Sequence, residues 1–573
     1  MRAHLYLILM AAACVCTCPA CADTTWVAGG DISGNWTHDG SPYMIQGDLR
    51  VSPDQSLEIG PGVIVFFAVH CSLYVDSAAR LEAIGAENDS IYFTTDTLAL
   101  PERWKGIQTH NDADTCRFEW CVFENANPKA INAGAPLRVQ ASSFRFNGGG
   151  SEGTAIEHGA NFLQISNCVF VSNRGDYSGP LFLFNPRGGI ENCIFEDNHA
   201  TAQGNGQGFG GAIGWFSQID SLVVSHCDFI GNSAQHGGAV SMEATGHGYP
   251  RFEDCRFINN TATVSGGAVT DEILHGGFYF LRCWFEGNQA PQGGAMWVYP
   301  ADYLTRIDQC VFKNNSATDG GAIYAPNAGG APDLQRCTIV NNTATHEGGG
   351  IYIQNNAAIP TIYSSIIAFN TGAGLRMPSN SASSDVRFNL LFGNSGGDVL
   401  PANNPLGHFD LFNFNGDSAD LNYDVLLDPQ FVDTSASDYH LLGTSPCIDA
   451  GPQAQWFPHD PDSTIADIGA FYYDQTDAAD ENFILHPSSF ILSAFPNPFN
   501  ATTEIRFELP VTSQVKLSVF DLLGREISVL VNERLNAGSH TIRFNAGDLP
   551  SGIYFCRLST VQATNTHKLI LLK

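Results

Sequence analysis

Five segments decide the fold: CDFIGNSAQHGGAV from Cys227, CRFINNTATVSGGAV from Cys255, CWFEGNQAPQGGAM from Cys283, CVFKNNSATDGGAI from Cys310 and CTIVNNTATHEGGGI from Cys337. Looser copies precede them at Cys168 (CVFVSN) and Cys193 (CIFEDN), with a more distant one at Cys121 (CVFENA); others follow at Ser365 (SIIAFN) and Asn389 (NLLFGN). From Cys227 to Ser365 the copies begin 27 or 28 residues apart. A fixed period of that size marks a solenoid, in which each repeat is one supersecondary unit, and not a string of separate domains. Helix formers are scarce through this region, and no stretch carries a clean helical stripe.

The side chains explain the period. Cys and Phe stand two apart, so they share one side of a short strand. The Asn after them falls at a corner, where its amide can bond backbone groups and the Asn of the turns above and below. Gly-Gly-Ala supplies a second corner, where tiny or absent side chains let the backbone bend sharply. One turn alone cannot bury its Phe; turns stacked at about 4.8 Å make a continuous core. Residues 40–430 would supply roughly fourteen turns and a rod on the order of 70 Å. The Cys column is then a ladder of small buried hydrophobes, kept as free thiols because in-register parallel side chains have the wrong dihedral for a disulfide.

On these residues the chain resembles the right-handed parallel β-helix family, and its F-x-x-N-x-A-x-x-GGA form resembles polymorphic outer-membrane protein repeats. The entry (ISGNWTHDGSPYMIQGDLRVSPDQSLEIGPGVIVFF, then AIGAENDSIYFTT and RWKGI from Arg103) is similar to the first coils of exported bacterial β-helix proteins. The exit (DPQFVD from Asp428, DYHLLGTSPCIDAG from Asp438, ADIGAFYYD from Ala466) is similar to their caps. The resemblance implies an all-β fold and leaves activity open, since the family spans pectate lyases, polygalacturonase-like hydrolases, alginate epimerases, adhesins and inert surface rods.

The flanks set the domain plan. Arg2 and His4, the apolar run Leu5–Val15 and Ala20-Cys21-Ala22 read as a signal peptide over residues 1–22. No run approaches about 18 apolar residues, so no transmembrane span is expected. Residues 23–474 are the solenoid with its caps, 475–489 an acidic linker, and 490–573 a second module. The net charge is −31; with +1 from Arg2 and +2 from residues 490–573 (eight Lys/Arg, six Asp/Glu), the remainder carries −34. So acidic a body excludes nucleic acid as a partner, because phosphate backbones would be repelled.

After the linker, ATTEIRFELP, QVKLSVFDLLGREI, HTIRFNA, GIYFCRLST and KLILLK alternate as the short strands of an antiparallel, Ig-like sandwich. The module resembles the C-terminal sorting domain of the type IX secretion system. The matching residues are Pro496, Asn497, Pro498, Phe499 and Asn500, then Gly524 and Arg525 within VFDLLGREI, Gly552 and Tyr554 within LPSGIYF, and the terminal Lys573. Ala501 and Cys556 depart from the pattern. The resemblance implies the type IX machinery as a partner and a location outside a Gram-negative cell, secreted or on the outer-membrane surface.

Chemistry on such a rod must use outward residues of adjacent turns. After each Gly-Gly-Ala corner the second residue is Ser241, Thr270, Trp297, Tyr324 and Tyr352 in successive turns. Three consecutive aromatics predict an exposed strip suited to sugar rings. Glu243 and Glu272 would stack beside it with Asp271 and His275 near, a weak acid/base or calcium-binding grouping. A lyase would also need a Lys or Arg base there, and the strip as read contains none. Asp460, Asp462 and Asp467 in DPDSTIADIG form a second weak Ca²⁺ candidate. His236, His247, His275 and His346 lie in separate loops without metal-ligand spacing. The favoured expectation is noncatalytic adhesion or glycan binding; the alternative is a polysaccharide lyase or glycoside hydrolase working along the strip.

Overall fold

The computed structural model describes residues 24–95, 103–149, 155–160, 162–202, 207–217, 221–244, 250–273, 277–299, 305–326, 332–355, 360–378, 385–400, 411–413, 415–453 and 457–475. In the second module it describes 492–495, 497, 499–509, 513–520, 525–536, 538–547, 549–550, 552–560 and 564–571. The signal peptide and nearly all of the linker lie outside these residues. The chain divides into two compact units that part between Tyr473 and Asp474.

The first unit is a parallel β-solenoid with three long faces. Sheets one and two have 15 strands each and sheet three has 14, every strand hydrogen-bonded to its counterpart one turn away. The coil begins at Thr25–Val27, well before residue 40. The turn starting at Cys255 shows the plan. Arg256–Ile258 lies in sheet one, Thr261–Ser265 forms a ledge, Val269–Ile273 lies in sheet two and Tyr279–Leu281 in sheet three. The ledge strands pair among themselves as a four-stranded and a two-stranded sheet at the corner between sheets one and two.

The repeat residues occupy the positions their chemistry requires. Phe93, Phe123, Phe144, Phe170, Phe195, Phe229, Phe257, Phe285 and Phe312 form one stack, with successive ring centroids 4.6 to 4.9 Å apart. All described cysteines are free and buried. In the column, Cys255 Sγ lies 3.3 Å from the Glu253 carbonyl and 3.5 Å from that of Val224, and burial pushes the Cys121 and Cys337 thiols well above their ordinary pKa.

The Asn column is a continuous hydrogen-bonded ladder. Asn260 Nδ2 donates to Asn288 Oδ1 at 3.0 Å and to the Phe229 carbonyl at 2.9 Å, while its own Oδ1 accepts from both Asn232 N and Asn232 Nδ2 at 3.0 Å. The same pattern runs from Asn147 to Asn394, where the final amide donates to Asp398 Oδ1 at 2.8 Å. Every amide passes its protons one way along the axis, so the last rung needs only an acceptor, and a carboxylate supplies it. The residue before each ladder Asn has positive φ, as at Asn259, Asn314 and Asn341 or at Gly231 and Gly287. That explains the Asn-Asn and Gly-Asn pairs, because Gly and Asn tolerate the left-handed region best.

The segment after the last coils folds back over the side of the solenoid. Val425 pairs beside Leu390, and the chain then returns along the outer face of sheet one. There Phe431, Tyr439, Leu441, Cys447, Ala450 and Ile468 bury Val311, Val340, Ile366, Ala368 and Leu390, with Trp284 packed at the margin. Gly469 N donates to the Ser364 carbonyl at 2.7 Å and Ala470 N to Thr338 Oγ1 at 3.0 Å. The cause lies in one outward column of sheet one. It holds an ion pair at Asp228 and Arg256 (2.7 Å), then becomes Trp284, Val311, Thr338, Ile366 and Leu390. An apolar outer face must be covered, and this strap covers it.

The second unit has a three-stranded and a four-stranded antiparallel sheet around one core of Ile505, Phe507, Val515, Leu517, Val519, Phe544, Leu558, Leu569 and their neighbours. Cys556 is wholly buried in that core and so serves as a small apolar residue.

Candidate functional site

The outward column of sheet two has the register expected: Ser241 pairs with Thr270, Thr270 with Trp297, Trp297 with Tyr324 and Tyr324 with Tyr352. Its exposure differs from the expected open strip. Trp297 and Tyr352 are half-buried, Tyr324 is only 2% exposed, and Ser241 and Thr270 are buried outright. The left-handed glycine that opens each corner packs close against the column. A Cβ on Gly320 would meet Tyr324 Cβ at 2.8 Å, and one on Gly348 would meet Tyr352 Cβ at 2.6 Å. The corner backbone thus lies against the aromatic column and turns a flat strip into a crease.

The ledge forms one wall of that crease, with His236, Ser265, Gln292, Asp319 and Glu347 in register along it. His346 Nδ1 lies 2.8 Å from Asp319 Oδ1, and His236 Nδ1 lies 2.8 Å from Ser265 Oγ. On the floor, the Trp297 and Tyr299 rings stack nearly parallel, 16° apart in plane with centroids at 5.6 Å. Tyr324 and Tyr352 meet edge to face at 5.3 Å, and Tyr324 donates to Gln354 Oε1 at 2.8 Å.

A cation does lie in this column. Arg376 pairs with Tyr352 one turn on and is held by Glu347, Nε to Oε2 at 2.9 Å. Its rung, beginning at Leu375, follows Gly-Ala-Gly and not Gly-Gly-Ala. The tyrosines beside it are poorly set up as bases. Burial pushes the Tyr324 hydroxyl up to about 12 and raises Tyr352 as well, with Arg376 only partly opposing it. Proton abstraction by tyrosine needs the opposite shift.

The acidic candidates separate. Glu243 and Glu272 are paired on adjacent strands, but their side chains, like all of His275, lie outside the described residues. Asp271 faces the solenoid interior, in the column of Met242 and Val298, is completely buried and is hydrogen-bonded by Thr305. Its carboxylate therefore lies on the interior side of sheet two, away from the outward aromatic column.

Asp460 and Asp467 act within the strap. Asp467 accepts from Asp449 N at 2.7 Å and Tyr473 N at 2.6 Å, and Asp460 accepts from Asp467 N at 2.7 Å. Asp462 accepts from Thr464 N at 3.0 Å. These carboxylates tie backbone together, and among the described residues no three His, Cys, Asp or Glu converge as a metal-holding group. Burial outweighs the amide bonds and raises Asp467 to about 7 and Asp460 to about 6. Raised carboxyl pKa values mean that the folded strap retains protons an unfolded Asp releases near pH 4. Their contribution is therefore complete below about pH 4 and lost as pH rises through 6 to 7. Amide exchange at Asp449 and Tyr473 is expected to show stronger protection at pH 5 than at pH 8, after correction for intrinsic rates. Asp467→Asn, which removes the titrating group those amides bond, should flatten the difference.

One aromatic group escaped the sequence reading. Tyr177, Phe182, Phe184, Phe209 and Phe216 touch one another at 4.6 to 6.2 Å, and Phe209 stacks on His236. Phe182 pairs with Gly214 and Gly214 with Ser241, so this group continues the same outward column. Its turns lack a regular corner spacing, and only strand register brings the rings together.

In the second unit, Phe499 is buried and bridges to Leu571, and Tyr554 donates to the Pro550 carbonyl at 2.8 Å. Asn497, Asn500, Arg525 and Gly552 are also described, whereas Pro496, Pro498, Gly524 and Lys573 lie outside the described residues. Residues 493–572 match the secretion system C-terminal sorting domain. Residues 309–326 and 336–354 match the Chlamydia polymorphic membrane protein repeat. No curated protein matches the chain. The chain is thus a β-solenoid carrying a type IX sorting domain, which marks it for secretion or display at the cell surface; among the described residues no helix is long and apolar enough to cross a membrane.

Proposed function

We propose that the protein is a noncatalytic surface solenoid that adheres by binding glycan in the crease of sheet two, after removal of residues 1–22 and export through the 490–573 module. The observation that carries this reading is the near-parallel Trp297–Tyr299 pair, with Tyr352 half-exposed farther along the same column. Such rings offer apolar faces to sugar C–H groups, while the polar ledge supplies hydrogen-bond partners. The upward shifts of Tyr324 and Tyr352 favour holding a ligand over abstracting its protons.

The test is binding of the mature full chain to a panel of neutral and acidic polysaccharides, with reducing and unsaturated ends assayed in parallel. Binding is expected without new ends, and Trp297→Ala is expected to weaken it about tenfold or more, the loss typical of an anchoring Trp. Accumulating ends would sink the noncatalytic reading. Arg376 beside Tyr352 favours a lyase as the second reading, in which case Arg376→Gln would abolish the appearance of unsaturated ends.

A further inference from the structure

On the outer face of sheet one, far along the coil from the strap, Arg145 pairs with Glu124, and a second arginine bonds the backbone of the residue beside it. Arg145 is 3% exposed; its Nε donates to Glu124 Oε2 at 2.8 Å, while its Nη2 is buried without any hydrogen-bond partner. The other Glu124 oxygen accepts from Thr94 Oγ1 at 2.9 Å. The adjacent outward residue on the Arg145 strand is Ser143, wholly buried, whose Oγ also lacks a partner.

Arg103 enters from the corner between sheets one and two. Trp104 Nε1 donates to the Glu124 carbonyl at 2.9 Å and Asn127 N to the Trp104 carbonyl at 2.8 Å, which fixes this segment beside the Glu124 strand. Arg103 Nη1 then donates to the carbonyl of Phe146, the residue after Arg145, at 2.6 Å. Its Nε is buried and unpartnered, and Arg103 forms no ion pair among the described residues. Burial alone pulls its pKa down.

Glu124 balances Arg145, whereas Arg103 has no ion-pair partner among the described residues, in a chain whose net charge is −31. Buried guanidinium donors without acceptors are costly, and a planar or tetrahedral oxyanion answers their fork geometry. We propose that Arg103 and Arg145, with Ser143, form an oxyanion-binding site that takes a carboxylate, sulfate or phosphate group borne by a ligand outside the cell.

The experiment titrates the mature full chain with sodium sulfate, phosphate and glucuronate against sodium chloride at matched ionic strength, by calorimetry and by thermal unfolding. Saturable binding and a raised Tm are expected with at least one oxyanion and not with chloride. Arg103→Gln is expected to weaken that binding about tenfold or more, the loss typical of charged hydrogen bonds. The double variant Glu124→Gln/Arg145→Met removes the ion pair without stranding either charge and should do the same. Glucuronate over sulfate points to an acidic sugar and the reverse to a sulfated or phosphorylated group; either supports the site. Responses to the oxyanions no larger than to chloride, or unchanged binding in both variants, would overturn it.

Discussion

Asn260→Ala is expected to lower the unfolding free energy by about 3–5 kcal/mol, several times the effect of an ordinary surface substitution. The residue is fully buried and its amide makes four hydrogen bonds: to Phe229 O and Asn288 Oδ1, and from Asn232 N and Asn232 Nδ2. Alanine deletes all four bonds in a dry interior. Asn288 Oδ1 then keeps only the Asn260 N–H, and Asn232 Nδ2 only the Phe195 carbonyl. Each group left short of a partner costs about 1–3 kcal/mol less whatever relaxation recovers. The loss falls at one turn of a structure whose stability is a sum over neighbouring turns, so denaturant unfolding should split into two transitions. Asp398→Asn is the control, because it replaces the terminal acceptor, which has no further rung to bond, and should cost less than about 1 kcal/mol. Equal losses for the two variants would mean that the ladder's direction is irrelevant.

Gly294→Ala should be at least as damaging, about 4 kcal/mol or more, for a different reason. Gly294 is the second glycine of its corner, and a Cβ there would overlap the Gly321 carbonyl oxygen and crowd Ser316 N at 2.7 Å, all backbone atoms of the next turn. Gly238, Gly267 and Gly321 are placed identically against the carbonyls of Gly267, Gly294 and Gly349. No rotamer can relieve such a clash, so either the turns separate or the corner strand leaves its ladder. Urea denaturation checks it, with Gly547→Ala as comparison: there the nearest atom to a Cβ is the Asn545 Oδ1 at 3.2 Å, in the other unit.

The core of the solenoid was legible because identical residues recur at an identical spacing. Phe257 stacks between Phe229 and Phe285 for the same reason that Asn260 bonds Asn232 and Asn288: one turn advances every column by the same step. The crease was half legible. Strand alternation placed Trp297, Tyr324 and Tyr352 on one outward column, but alternation carries no information about what lies above a face. Tyr324 is buried where Tyr352, on the next turn of the same column, stays half-exposed, and Arg376 joins the column through a rung that has lost the motif.

The strap, the aromatic group at Phe182 and Phe216, and the Arg103–Arg145 pairing depend on contacts between residues far apart in sequence with no repeat to announce them. Ala470 reaches Thr338 and Arg103 reaches Phe146 only after the coils have stacked. By itself the sequence determined that this chain coils into an all-β solenoid and carries a sorting module, because a period of 27 or 28 residues with Phe, Asn and Gly at set places has one economical way to bury its apolar side and satisfy its corners. Only the tertiary structure decided which outward residues stay open to solvent, which charges are left without partners and where the chain doubles back. Those are properties of surfaces in contact, and local periodicity does not encode them.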